Sequence, residues 1–377
     1  MSHSFAVSPY LIVAAGSVFS PKTYIASTIV NHPKLLVDKP PVPVLIKKAM
    51  DSAILNTALE KGLSGEGLSV EEARRFAALP ADAVYDILSV AEKVRRRHKG
   101  VEVNLCAIVN AKSGLCKEDC SFCAQSVKYD TGVREYPMAS PQALIDAAKE
   151  AEGFGAREFS IVTSGTSIEK EKDVDTLVQT LVGMKGSVGM ERCASLGILS
   201  RETLKRLKDS GLESYHHNLE TSRGFFPNIC TTHEYDEDIE AISAAKELGL
   251  YVCSGGIFGL GESWEDRIEL ARTLRDLDVD SIPINFLNPR PGTPLEHASN
   301  LTPIECLKII ALIRLTLPTK DVVICGGKSV NLRDLQPLIF AAGANGMMVG
   351  NYLTTPGRDP KEDLEMLEDL GLRPRGL

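Results

Sequence analysis

From residue 101 the chain alternates between two patterns. Short runs rich in apolar and β-branched residues read as buried strands: VEVNLCAIV (101–109), EFSIVTSG (158–165), GMERCASLG (189–197), SYHHNLE (214–220), LYVCSGGIFG (250–259), SIPINFLN (281–288), VVICGG (322–327) and GMMVG (346–350). Between them, apolar positions recur at the helical period in PQALIDAAKEAEG, VDTLVQTLVGM, SRETLKRLKDSG, YDEDIEAISAAKELG, WEDRIELARTLRDL, TPIECLKIIALIRL and LRDLQPLIFAAG. Ser69 to Glu72 and Thr302 to Glu305 have the form of capping boxes, and Gly211, Gly249 and Gly343 close helices. Eight strand–helix units predict an α/β fold, a (β/α)8 barrel of the TIM type with an N-terminal helical extension. A doubly wound open sheet is the rival, and the count of eight favours the barrel. In both, side chains that perform chemistry sit at the C-terminal ends of the strands.

The rest of the chain falls outside that rhythm. The reading is residues 1–45 as an extension, 46–100 as a helical N-terminal segment, 101–355 as the barrel and 356–377 as a C-terminal helical tail. YLIVAAGSVF (10–19) is apolar, yet no basic residue precedes it and the first arginine is Arg74, so neither a secretory nor a mitochondrial leader fits well. A disordered extension, a mistaken start codon and a targeting role stay open, and PPVPV (40–44) reads as a stiff linker. KVRRRHKG (93–100) reads as a solvated helix end with cations near its C-terminus.

Composition narrows the function classes. Of 377 residues, 44% are hydrophobic and 24% charged, the mix of a globular protein with a full core. The net charge of −8 argues against a nucleic-acid surface, and no apolar run is long enough to span a membrane. Nine cysteines are odd in number and scattered, which excludes a disulfide scaffold. A reducing, cytoplasmic setting with thiolates free for metal is the expectation.

The chemistry concentrates in SGLCKEDCSFCAQS (113–126), where Cys116, Cys120 and Cys123 fall within eight positions directly after the first predicted strand. Structural zinc takes four ligands, usually as two CxxC pairs, and no second CxxC follows. A 4Fe–4S cluster takes four cysteines, so three would leave one iron open to a ligand from solution. This CxxxCxxC loop resembles the radical S-adenosylmethionine (SAM) superfamily. That resemblance implies that the open iron binds SAM, that an electron through the cluster splits it to methionine and a 5′-deoxyadenosyl radical, and that Phe122 lies beside the adenine.

Six stretches in family order, SGLCKEDCSFCAQS, YHHNLETS (215–222), NICTTH (228–233), VCSGGIFGLGE (252–262), PINFLNPRPGTPL (283–295) and AGANGMMVGNYLTT (342–355), are similar to the biotin synthase family. The resemblance implies sulfur insertion into dethiobiotin, with the sulfur taken from an auxiliary iron–sulfur cluster inside the barrel. It implies SAM contacts from Phe122, Asn218, Glu220 and the Gly255, Gly256, Gly259 and Gly261 turn, and substrate contacts from Asn218, Asn285 and His216. His217 reads as structural. It also implies a reducing donor such as flavodoxin or ferredoxin, and a homodimer.

In the family pattern, three cysteines and one arginine hold an auxiliary 2Fe–2S cluster. Cys193 and Cys253 match two of those cysteines, but Ser160 stands at the third and Lys328 at the arginine. A lysine cannot reproduce the planar guanidinium fork. The chain offers Cys106, Cys230 and Cys325 in compensation, so the expected set is Cys193 and Cys253 with two of these, Cys106 and Cys230 ahead of Cys325. Four thiolates would support a four-iron cluster. Cys306, among Ile304, Ile309 and Ile310, reads as core. Two other readings stay in view: a radical SAM enzyme for another small molecule, like methylornithine synthase or a hydrogenase maturase, and an iron–sulfur electron-transfer protein without radical chemistry.

Overall fold

A computed structural model describes residues 42–376, apart from 169 and 300. The extension expected over 1–45 therefore lies outside the described residues except at its end, where a helix, α1 (Val42–Ser64), already begins. It starts inside PPVPV, which was expected to be a linker, and Pro43 occupies a first-turn position that proline tolerates. Next come α2 (Val70–Ala77), with the full Ser69/Glu72 capping box, and α3 (Val84–Lys99).

The strands then follow in order: β1 (Glu102–Lys112), β2 (Glu158–Thr163), β3 (Glu191–Ser195), β4 (Ser214–His216), β5 (Tyr251–Cys253), β6 (Gly256–Phe258), β7 (Ser281–Phe286), β8 (Asp321–Ile324) and β9 (Gly346–Met348). All pair in parallel, each with the next around the ring, and β1 pairs with both β2 and β9, which closes the barrel. The fifth expected strand is two pieces, β5 and β6, both beside β7, so nine segments fill eight positions. Only glycine fits beside the break. A Cβ on Gly255 would meet the Pro283 carbonyl oxygen at 2.0 Å, and one on Gly256 the Glu220 carbonyl oxygen at 2.4 Å.

The barrel helices are α4 (Pro141–Gly153), α5 (Glu171–Lys185), α6 (Arg201–Asp209), α7 (Tyr235–Glu247), α8 (Trp264–Asp276) and α9 (Pro303–Thr316). Ser140, Ser200, Ser263 and Thr302 cap four of them through the side-chain oxygen. Thr302 forms only half of the expected box, because Glu305 receives a 2.7 Å hydrogen bond from Arg267 instead. The stretch LRDLQPLIFAAG is not one helix. It divides into the end of α10 (Lys328–Leu332), a 3-10 turn (Arg333–Leu335) and α11 (Leu338–Ala341), with Pro337 at the break. The tail is not wholly helical either: after α12 (Pro360–Asp369), β10 (Arg373–Pro374) pairs with the start of β1.

Residues of α1, α2 and α3 pack with α8 and α9 into a core beside the barrel. The end of α3 is less solvated than expected, since Arg95 is buried, paired with Glu92 and donating to the Gly100 carbonyl at 2.8 Å. Cys306 lies in the core of α9, as read from sequence. Arg314 on α9 is fully buried and donates to the carbonyls of Gly343, Pro318 and Lys320 and to Asn345 Oδ1, at 2.7–3.0 Å. Replacing it with methionine strands the three carbonyls and removes one of the two donors to Asn345 Oδ1. Arg314→Met is expected to cost about 3 kcal/mol of stability, read as a lower urea midpoint.

Candidate active site

Cys116, Cys120 and Cys123 follow β1 in a loop pinned by backbone hydrogen bonds from Cys116 N to Gln125 O (3.1 Å) and from Val127 N to Cys116 O (2.8 Å). All three line one cavity of about 220 Å³ at the mouth of the barrel, together with Phe122, Asn218 and Glu220. The sequence thus placed the loop correctly at the C-terminal strand end, and the three thiols can share one face of a cluster.

Asn218 and Glu220 reach this cavity by a route the sequence did not reveal. β4 ends at His216, so the two residues do not alternate on a strand, and Glu220 adopts a left-handed φ of 61°. The Gly255–Gly256 segment holds them. Leu219 N and Glu220 N donate to Gly255 O at 3.0 and 3.2 Å, Ile257 N donates to Glu220 O at 2.9 Å, and Gly255 N donates to Asn218 Oδ1 at 3.2 Å. The Asn218 amide nitrogen is 3.4 Å from both Glu220 oxygens. Gly255, Gly256 and Gly259, expected beside SAM, do not line the cavity; Gly255 and Gly256 position the residues that do. Burial raises the Glu220 carboxyl to about 8.

A second group of thiols lies deeper. Cys106 on β1, Cys253 on β5 and Cys325 after β8 line a cavity of about 150 Å³ with Ser160, His216, Asn218 and Asn285. Cys193, fully buried on β3, lies within 4.8 Å of a His216 ring nitrogen and a Glu158 carboxylate oxygen. Register explains the grouping: Cys193 pairs with Ser160, and Cys253 with His216. Burial pushes the Cys193 and Cys253 thiols well above their ordinary range, and hydrogen bonding with Cys106 does the same for Cys325. Such thiols stay neutral unless a metal supplies the compensating charge, so the donor set fits a cluster held by four cysteines.

The sequence expectation needs one correction here. Cys230, placed ahead of Cys325 for this group, is not in it. NICTTH leaves the barrel after β4 and carries Cys230 to the outer cavity, 3.8 Å from Cys120 Sγ. Cys325 is in the inner group instead. Lys328, at the family's arginine position, turns aside. Its Nζ donates to Met348 O at 2.7 Å and lies 3.7 Å from the buried Asp363 of α12.

Sequence reading missed a polar network around the outer cavity. Glu118 accepts from His233 Nδ1 at 2.8 Å and from the hydroxyls of Thr166 and Thr232. Asp238 lies 3.4 Å from His233 Nε2 and 2.7 Å from His217 Nε2. Hydrogen bonds with Asp238 first, then Cys230 and Glu118, raise the His233 imidazole to about 11. Only the KEDC and TTH spacing could have hinted at this pairing across 115 residues.

Between the two thiol groups lies a third cavity of about 230 Å³, lined by Ile108, Phe122, Ile257, Asn285, Met348, Leu353, Thr354, Thr355 and Arg290. Asn285 accepts from Gly326 N at 2.9 Å and donates toward Gly256 O at 3.4 Å, leaving one amide hydrogen for a ligand. Arg290 Nε is buried without a partner, a feature that sequence reading missed because Arg290 stands there only as one residue of PINFLNPRPGTPL. Phe122 joins this cavity to the outer one, Asn285 joins it to the inner one, and Asn218 and Ser195 line both thiol cavities.

Known proteins resemble this chain over most of its length. Residues 112–274 match the Radical SAM superfamily, and residues 283–373 match the Biotin and Thiamin Synthesis associated domain. The chain is 51% identical over 313 residues to biotin synthase of Geotalea daltonii, covering 83% of this chain and 95% of that protein. It is 49% identical over 313 residues to biotin synthase of Geobacter sulfurreducens, with the same coverage. Among solved structures, methylornithine synthase superposes with a TM-score of 0.74 at 22% identity, covering 84% of this chain and 97% of that one. A maturase of the FeFe-hydrogenase gives 0.73 at 16%, covering 88% and 78%. At those identities the likeness shows a shared fold.

Proposed function

The chain belongs to the biotin synthase family of radical SAM enzymes, and on that premise we propose that it inserts sulfur into dethiobiotin to form biotin. One observation carries the reading. Two separate thiol groups line neighbouring cavities, and a third cavity adjoins both through Phe122 and Asn285, an arrangement that suits a reaction in which one group generates a radical and the other supplies sulfur. Cys116, Cys120 and Cys123 would hold the 4Fe–4S cluster, and Cys106, Cys193, Cys253 and Cys325 the auxiliary one. When bound, these clusters supply the electron that splits SAM and the sulfur that is inserted.

The chain's own residues do the rest. Glu220 can take the SAM ribose hydroxyls, held there by Asn218 and the glycine segment. Ile108, Ile257, Met348 and Leu353 give the alkyl chain of dethiobiotin an apolar wall, and Asn285 keeps an amide hydrogen for the ureido ring. Arg290, its Nε unpartnered, can meet the carboxylate. Burial keeps water from a radical that must attack unactivated C–H bonds.

Features of the surface support the reading of the electron donor. Leu115 and Val127 are 63% and 52% exposed on the cysteine loop, beside exposed Lys117 and Lys128. An apolar face rimmed by cations suits an acidic, low-potential electron carrier of the flavodoxin or ferredoxin kind. Among the described residues no helix is long and apolar enough to cross a membrane.

The test is anaerobic reconstitution with iron and sulfide, then SAM, dethiobiotin and reductant, with 5′-deoxyadenosine and biotin measured together. Both should form. Deoxyadenosine without biotin would point to another substrate, and neither product would overturn radical chemistry. With a protein carrier as reductant, Lys117→Glu and Lys128→Glu should slow turnover, and dithionite should restore it.

A further inference from the structure

Cys230 is left without a role once the inner group is complete. Its sulfur touches Cys120 Sγ at 3.8 Å and lies 3.3 Å from His233 Nδ1, in the cavity of the three loop cysteines. His233 is fixed from both sides, by Glu118 at Nδ1 and Asp238 at Nε2. Backbone contacts also seat the segment against the loop: Ser121 N donates to Ile229 O at 2.8 Å, and Thr231 N to Asp119 Oδ1 at 2.8 Å. Cys230 is therefore held against one cluster ligand by two independent anchors.

We propose that Cys230 is a positioning residue for the SAM-binding cluster, donating its S–H to the Cys120 thiolate while its sulfur accepts from His233 Nδ1. This rests on the assignment of Cys116, Cys120 and Cys123 as the cluster ligands. Once Cys120 binds iron its sulfur carries no proton, so the neighbouring thiol is the donor. His233 Nδ1 lies 2.8 Å from Glu118 and 3.3 Å from the Cys230 sulfur, so the imidazole, Cys230 and Cys120 form one row. A sulfur in van der Waals contact with Cys120 sits beside that ligand and not at a fourth corner of the cluster, so the open iron stays available to SAM. Hydrogen bonds to cluster sulfurs stabilise the reduced, more negative state. Cys230 therefore makes the cluster easier to reduce.

The experiment is an EPR-monitored redox titration of the anaerobically reconstituted full chain, compared with Cys230→Val and Cys230→Ser. Valine keeps the volume without a donor, and serine keeps a donor. The valine variant should hold the same iron content with its cluster signal shifted to lower potential, whereas serine should stay at or above the wild-type value. An unshifted valine variant would overturn the proposal. If valine fails to fold, a serine variant below wild type would do the same. Loss of the loop cluster from both variants, with circular dichroism intact, would make Cys230 a ligand and equally overturn it. Failure of the underlying assignment reads differently, as a wild-type chain whose cluster signal does not respond to SAM.

Discussion

A chain carrying alanine at Cys116, Cys120 or Cys123 should form no 5′-deoxyadenosine above background, a fall of more than about a thousand-fold. The three thiols share one cavity, and no other cysteine among the described residues is placed to replace one of them cleanly. Cys230 is the nearest substitute, but its contact is with Cys120, and it is tied to His233 and seated by Asp119. Two thiolates leave two irons without protein ligands, which removes the distinction between a held corner and an open one. Biotin should vanish in step with deoxyadenosine, since no radical is made. The inner thiols should still bind iron, because their cavity contains none of the three loop cysteines. Iron analysis with product assay checks both halves. A variant that kept deoxyadenosine formation would dismiss the loop as the site of SAM cleavage.

The barrel and the cysteine loop were legible because their signals are local. Strand and helix periodicity needs only a window of a dozen residues, and Ser69 and Thr302 announce helix starts within one turn. Cys116, Cys120 and Cys123 lie on one loop, so their spacing is itself their geometry. What the sequence hid depends on contacts between distant segments. Gly255 and Gly256 look like a ligand-binding turn, but their missing Cβ atoms are required by the backbones of Pro283 and Glu220, which split the fifth strand. Glu220 looks like a strand residue, yet it turns through a left-handed φ to reach the cavity. The sorting of Cys230 and Cys325 could not be read from spacing at all. Cys325 follows a strand whose register carries it inside, while Cys230 follows β4 on a segment that folds back over the outer loop.

That sorting yields the sharpest expectation for the inner site. Cys325→Ser should leave the loop cluster intact and still produce deoxyadenosine, while biotin falls by at least about a hundred-fold. Cys325 interacts directly with Cys106, and both line the cavity with Cys253, so removing one thiol from this buried set leaves the others without a closed ligand shell. Iron should fall to the content of one cluster. Ser160 cannot compensate: its hydroxyl faces His216 Nδ1 at 3.4 Å, and an alkoxide is a poor match for iron that thiolates bind. Lys328 cannot either, being engaged by Met348 O and Asp363. Cys230→Ser, in contrast, should keep the iron content of both sites. The opposite result, with iron lost from the inner site in the Cys230 variant and retained in the Cys325 variant, would return Cys230 to the auxiliary set and require NICTTH to pack inside the barrel.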